Sequence, residues 1–149
     1  MGSLSAGHKS RGLPIHAAIA ATFLLLFVFR VLAQLLQFFR PISALPPFEA
    51  WESGAIPYWL LVVAQVAIAL VSGALIVSLF RRRLRPNRTV GIVLMTLGGL
   101  YLAGSLFRLV AGYTFLAETA FFDDHLPAYF HVVLACLLFT FGDFYRYGY

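Results

Sequence analysis

The chain has 149 residues, of which 61% are hydrophobic and 11% charged, and it carries a formal net charge of +5. Soluble domains carry roughly 25% charged residues, and a domain this small has too much surface for its volume to hide so much apolar side chain. The composition therefore excludes an ordinary water-soluble fold and points to a chain solvated by a bilayer.

In chain order, residues 1–12 are polar and resemble the basic start of a signal peptide. The apolar segment that follows is too long for one and ends in no small-residue cleavage site, so it reads as a retained first membrane helix. The Met1-Gly2 start has Ala6 where N-myristoylation expects Ser or Thr. A spanning helix needs about 20 mostly apolar residues, and four segments qualify: 14–39, 57–80, 89–113 and 126–144. Pro14, Pro57 and Pro127 suit first helical turns, where a missing N–H is tolerated. Pro41 opposes continuation of the first helix. Asn87 or Thr89 is placed to cap the third helix and Asp124 the fourth. The runs are continuously apolar rather than alternating, which excludes barrel strands, and helices satisfy every backbone group internally, as hydrocarbon demands. The expected fold is all-α: an integral membrane four-helix bundle, one four-span domain over residues 1–149.

Orientation follows from the basic residues. Lys9, Arg11, Arg81, Arg82, Arg83, Arg85, Arg88 and Arg146 fall on one side of a four-span topology, and only Arg40 lies in a loop on the other. The positive-inside rule then places both termini and the 81–88 loop in the cytoplasm, in a multi-pass cell membrane protein of bacterial inner-membrane type. The arginine cluster lies between two apolar segments, so it reads as a cytoplasmic loop and not as a nucleic-acid-binding patch. The outer loop 40–56 holds Pro41, Pro46, Pro47, Phe48, Trp51 and Gly54, and its aromatics suit the headgroup region. The second outer loop, 114–125, mixes Phe115, Phe121 and Phe122 with acids. Tyr145, Tyr147 and Tyr149 suit an aromatic belt at the inner face, and Asp143 is expected to pair with Arg146 or with an arginine of the 81–88 loop. Cys136 is the single cysteine, so no intrachain disulfide or Cys-pair motif is possible.

The informative feature is a polar layer inside the spans, where charge is costly and usually functional. Arg30, Gln34 and Gln37 share one face of the first helix. Tyr58, Gln65 and Ser72 form a heptad-spaced stripe on the second. Arg108 shares a face of the third with Tyr101, Gly104, Ser105 and Gly112. His131 lies on the fourth, beyond Asp124 and Pro127. A rise of about 1.5 Å per residue puts Arg30 and Gln65 roughly 12–13 Å from the outer helix ends, and Arg108 and His131 about 8 Å from them. The candidate ligand-binding set is Arg30, Gln34, Gln65, Tyr101, Arg108, Asp124 and His131. Two arginines in one layer need compensation, from Glu49, Glu52, Glu118, Asp123 or Asp124, from water, or from an anionic headgroup. The plainer readings are arginines that snorkel outward and glutamines that act as interhelical glue. His131 reads as a hydrogen-bonded packing residue, a proton acceptor, or a metal or haem ligand. His16 lies at the opposite end and cannot share a haem with it. His125 lies six residues from His131, a poor spacing for one metal site.

Gly99 and Ala103 form a small-xxx-small pair that suits close approach of a neighbouring helix, in the same chain, in a homo-oligomer or in a larger membrane complex. No catalytic signature or cofactor motif appears. The expectation is a non-enzymatic membrane protein: an accessory subunit, or a binder of an anionic lipid-like ligand in an outward-facing polar pocket. The alternative is a small enzyme acting on a lipid or isoprenoid-like substrate, with Arg30 and Arg108 holding an anion and His131 and Asp124 moving protons. A transporter component ranks last, because the inner halves of the helices are almost entirely apolar.

Overall fold

The computed structural model describes residues 6–51, 54, 56–114 and 125–148, with side chains from residue 15 onward. Among these residues the chain is helical throughout, with four long helices: α1 (Ala6–Phe39), α2 (Tyr58–Phe80), α3 (Arg88–Tyr113) and α4 (Leu126–Tyr147). Each is long and apolar enough to cross a membrane. A single 3₁₀ turn, Phe48–Trp51, lies in the connection between α1 and α2.

The helix ends follow local chemistry. Asn87 caps α3, its side-chain oxygen accepting from the N–H groups of Thr89 (3.1 Å) and Val90 (3.2 Å). Pro127 lies in the first turn of α4. The end of α2 is closed by a paired turn in which Arg83 N–H donates to the Ser78 carbonyl (2.9 Å) and Arg82 N–H to the Leu79 carbonyl (3.0 Å). That closure holds Arg82 at φ 53°, a left-handed position usually given to glycine. α1 begins earlier than its apolar pattern suggests, so Pro14 lies inside the helix and forgoes its own N–H rung there.

The exterior is oily. Leu25, Leu70 and Trp59 are 70%, 69% and 68% exposed. The buried set includes Arg30, Gln34, Gln37, Gln65, Ser72, Ser105 and Arg108. Such an apolar surface over a partly polar interior suits hydrocarbon as the surrounding solvent, and the protein is a small multi-pass membrane protein by length and composition of its helices.

Contacts run in the order α2–α1–α4–α3. α3 packs along α4, and α1 packs against both α2 and α4. No Cα of α2 comes within 8 Å of one in α3, so these two helices stand apart with a gap between them. One end of the molecule holds the 81–88 connection and the other the 40–57 connection; they are termed the arginine-rich and arginine-poor ends below. At the arginine-rich end an apolar cluster of Ala17, Ala20, Ile76, Leu79, Leu137, Phe141 and Phe144 joins α1, α2 and α4.

Contact between α3 and α4 is close because both helices present glycine. A Cβ built on Gly91 would lie 2.6 Å from the Arg146 backbone nitrogen, and one on Gly142 would lie 3.1 Å from the Met95 nitrogen. Asn87 N–H donates to the Tyr145 carbonyl (2.9 Å) and fixes the start of α3 against the end of α4. The sequence suggests that Asp143 pairs with Arg146 or with the arginine loop. Instead, Asp143 Oδ2 lies 2.8 Å from His16 Nε2 and bridges α4 to α1. Arg146 lies with its guanidinium 5.2 Å from the Tyr147 ring centroid and donates to Met95 Sδ.

Candidate functional site

Helical geometry brings polar residues of all four helices to the arginine-poor half. α1 buries Phe27, Arg30, Ala33, Gln34 and Gln37 on one face, and α2 buries Gln65 and Ser72 one heptad apart. Arg30, Gln65, Tyr101 and His131 line a single cavity of about 220 Å³, walled also by Phe27, Leu61, Ile68, Phe130 and Leu134. Tyr101 and His131 separate it from a second, surface cavity of about 450 Å³ that Ser105 and Arg108 line. Their rings lie 5.7 Å apart, centroid to centroid.

Arg30 does not snorkel. It is only 7% exposed, and its Nη2 donates to the Trp51 carbonyl at 2.7 Å. Its guanidinium carbon lies 5.7 Å from the Phe130 ring centroid, close enough for a cation–π contact. The Arg30 Nε–H has no hydrogen-bond acceptor among the described residues, and neither has the Gln65 amide nitrogen. Both atoms are buried. The cavity thus offers a guanidinium, an amide donor and an imidazole, and among the described residues that line it none is a carboxylate.

The seven candidate residues separate into groups. Arg30, Gln65, Tyr101 and His131 share the first cavity, and Arg108 joins Tyr101 and His131 at the second. Gln34 is fully buried and lines none of these cavities, and neither end of its amide makes a hydrogen bond among the described residues. Asp124 lies outside the described residues, as do Glu52, Glu118 and Asp123. Glu49 is exposed on the 3₁₀ turn, away from the buried guanidinium. No group of three His, Cys, Asp or Glu side chains able to hold a metal occurs among the described residues.

Two contributions are not evident from sequence. Gln37 organises the first connection: its Nε2 approaches the carbonyls of Pro46 (2.6 Å), Ile42 (3.2 Å) and Leu45 (3.2 Å), and its Oε1 accepts from Ile42 N–H (2.6 Å). Trp51, expected in the headgroup region, is instead buried; it stacks on Phe130 at 6.2 Å and donates to the Pro46 carbonyl at 3.0 Å. The signal was available: a buried glutamine at the last turn of α1 faces a loop whose prolines leave carbonyls without helical donors.

A third cavity, of about 380 Å³, lies beside the first towards the arginine-rich end and shares Ile68, Tyr101 and Leu134 with it as wall residues. Its walls are almost wholly aliphatic or aromatic: Ala67, Val71 and Leu75 on α2, Leu94 and Leu97 on α3, and Leu138 and Phe141 on α4. No family model, curated protein or solved structure matches the chain.

Proposed function

We propose that this membrane protein binds a phosphate-bearing lipid at its arginine-poor end, without catalysing a reaction, and that its arginine-rich end faces the cytoplasm. The eight-to-one distribution of loop Lys and Arg supports the orientation. One observation carries the binding reading: two buried donors, Arg30 Nε–H and the Gln65 amide, line one cavity and neither has a protein acceptor among the described residues. Among the described residues the buried guanidinium has the Trp51 carbonyl and the Phe130 ring as partners and no carboxylate, and its desolvation is expensive. An anion in the cavity supplies both the charge and the missing acceptors. A phosphate suits it because its oxygens accept from a guanidinium and an amide at once.

The test is native mass spectrometry of protein taken from nanodiscs of phosphatidylcholine doped with phosphatidylglycerol. Wild type retains phosphatidylglycerol selectively. Gln65→Leu leaves the first connection untouched and weakens retention by roughly fivefold, the equivalent of about 1 kcal/mol for one neutral hydrogen bond. Arg30→Gln weakens it roughly tenfold to a hundredfold, since hydrogen bonds to charged groups contribute about 1.5–3 kcal/mol. Equal retention of the anionic lipid by wild type and Arg30→Gln removes the proposal.

An accessory role in a larger assembly is compatible with the same site. Among the described residues nothing lies within 4 Å of where a Cβ on Gly99 or Gly104 would stand, and Ala103 between them is exposed. A helix of a second copy or of another subunit fits closest there.

A further inference from the structure

We infer that the gap between α2 and α3 seats the hydrocarbon chain of the bound lipid, which enters sideways from the bilayer core; the inference rests on the reading that the Arg30 cavity takes an anionic headgroup. The polar cavity and the aliphatic one adjoin, with Ile68, Tyr101 and Leu134 in the walls of both. Along α2 the wall changes from Gln65 to Leu75, a distance of about 15 Å by helical rise. The groove is therefore amphiphilic along its length, with hydrogen-bond donors at one end and hydrocarbon at the other. Because no Cα of α2 comes within 8 Å of one in α3, and Ala67, Val71 and Leu97 in its walls are exposed, its side lies open to the membrane without any loop having to move. A lipid entering this way keeps its chain in hydrocarbon throughout and moves only its headgroup inward.

Size separates a chain from a helix as occupant. A helix about 10 Å across would displace about 1,200 Å³ over the same 15 Å, about twice the 220 Å³ and 380 Å³ of the two cavities together. A helix would also have to bring its own anion to the Arg30 end. A single lipid chain satisfies both requirements, because its phosphate is already attached.

Two measurements test the inference. In the first, Ala67→Trp on α2 and Leu97→Trp on α3 each fill the gap from a wall that is exposed rather than packed. Each is expected to weaken phosphatidylglycerol retention at least tenfold while leaving butyl phosphate binding within twofold of wild type. In the second, the unmodified protein is photolysed with phosphatidylglycerol bearing a diazirine midway along one acyl chain. Adducts are expected on peptides containing Ala67, Leu97 or Leu138. Wild type that binds neither lipid nor butyl phosphate overturns the headgroup reading and this inference with it. Binding that depends on Arg30, but with adducts only on outward residues such as Leu25 and Leu70 and with full retention by both tryptophan variants, overturns the chain site alone.

Discussion

Gln34 and Gln37 lie three residues apart on the same buried face of α1, and the structure gives them opposite consequences for stability. Gln37 is engaged at both ends of its amide. Its two N–H hydrogens serve three carbonyls, so they count as two bonds, and its oxygen accepts a third. At about 1 kcal/mol net for each bond, Gln37→Ala costs about 3 kcal/mol, less whatever rehydration returns at the membrane edge. Gln34 is fully buried with neither end of its amide bonded among the described residues. Replacing an unsatisfied buried polar group by an apolar one of similar shape removes a desolvation penalty of about 1–3 kcal/mol, so Gln34→Leu is expected to stabilise. The assay is reversible unfolding in mixed micelles with increasing SDS, followed by Trp51 fluorescence in a Trp59→Phe background. Gln37→Ala should also red-shift the folded-state emission, because Trp51 Nε1 and Gln37 share the Pro46 carbonyl. A Gln37→Ala cost below about 0.5 kcal/mol, or a Gln34→Leu variant less stable than wild type by more than about 1 kcal/mol, would refute the assignment of these roles.

Two further expectations follow from the packing and the charge pattern. Gly91→Ala places a methyl against the Arg146 backbone and should cost about 1–3 kcal/mol by overpacking, whereas Gly99→Ala meets nothing within 4 Å and should stabilise α3 by up to about 1 kcal/mol; the same unfolding titration reads both. In a Cys136→Ser background, a cysteine replacing Arg85 should resist a membrane-impermeant maleimide in intact cells while one replacing Ser43 reacts, and the reverse pattern would invert the orientation.

The four spans were legible because uninterrupted apolar runs of this length have one solution in hydrocarbon, and the Asn87 cap and the Pro127 start were legible because capping is local chemistry. Helix pairing was not, for a physical reason. Without water to drive helices together, association depends on where backbones can approach, and many small residues look equivalent in sequence. Gly99 and Ala103 draw attention as an i, i+4 pair, yet the face of α3 buried in this chain is Gly91, Gly98, Ser105, Arg108, Ala111 and Gly112. Gly91, Gly98, Ser105 and Gly112 repeat at strict seven-residue spacing, the period of two helices packed along a common seam. The matching repeat on α4 is Ala128, Ala135 and Gly142. That pairing of two heptads was readable, but only by comparing helices two at a time. The gap between α2 and α3 was beyond sequence reasoning, since an absent contact leaves no motif.

The polar layer admits a sharper division than its sequence allowed. An arginine that snorkels must reach the polar boundary, and a glutamine that acts as glue must find a partner in a neighbouring element. Arg30 is buried and bonded to a carbonyl, so snorkelling does not describe it. Of the three buried glutamines, only Gln37 has a hydrogen-bonding role of this kind among the described residues, and its partners belong to a loop rather than a helix. Gln65 and Gln34 each leave at least one buried amide atom unbonded, and only Gln65 borders a cavity large enough to hold a ligand group. If the layer served stability alone, replacing Gln34 or Gln65 with leucine would be favourable whatever lipid is present, because each substitution removes an unsatisfied group. A binding layer separates them: Gln34→Leu leaves lipid retention unchanged, while Gln65→Leu gains stability in lipid-free micelles and gives part of it back when anionic lipid is added. That crossover cannot arise from packing, since packing does not change with the headgroup supplied.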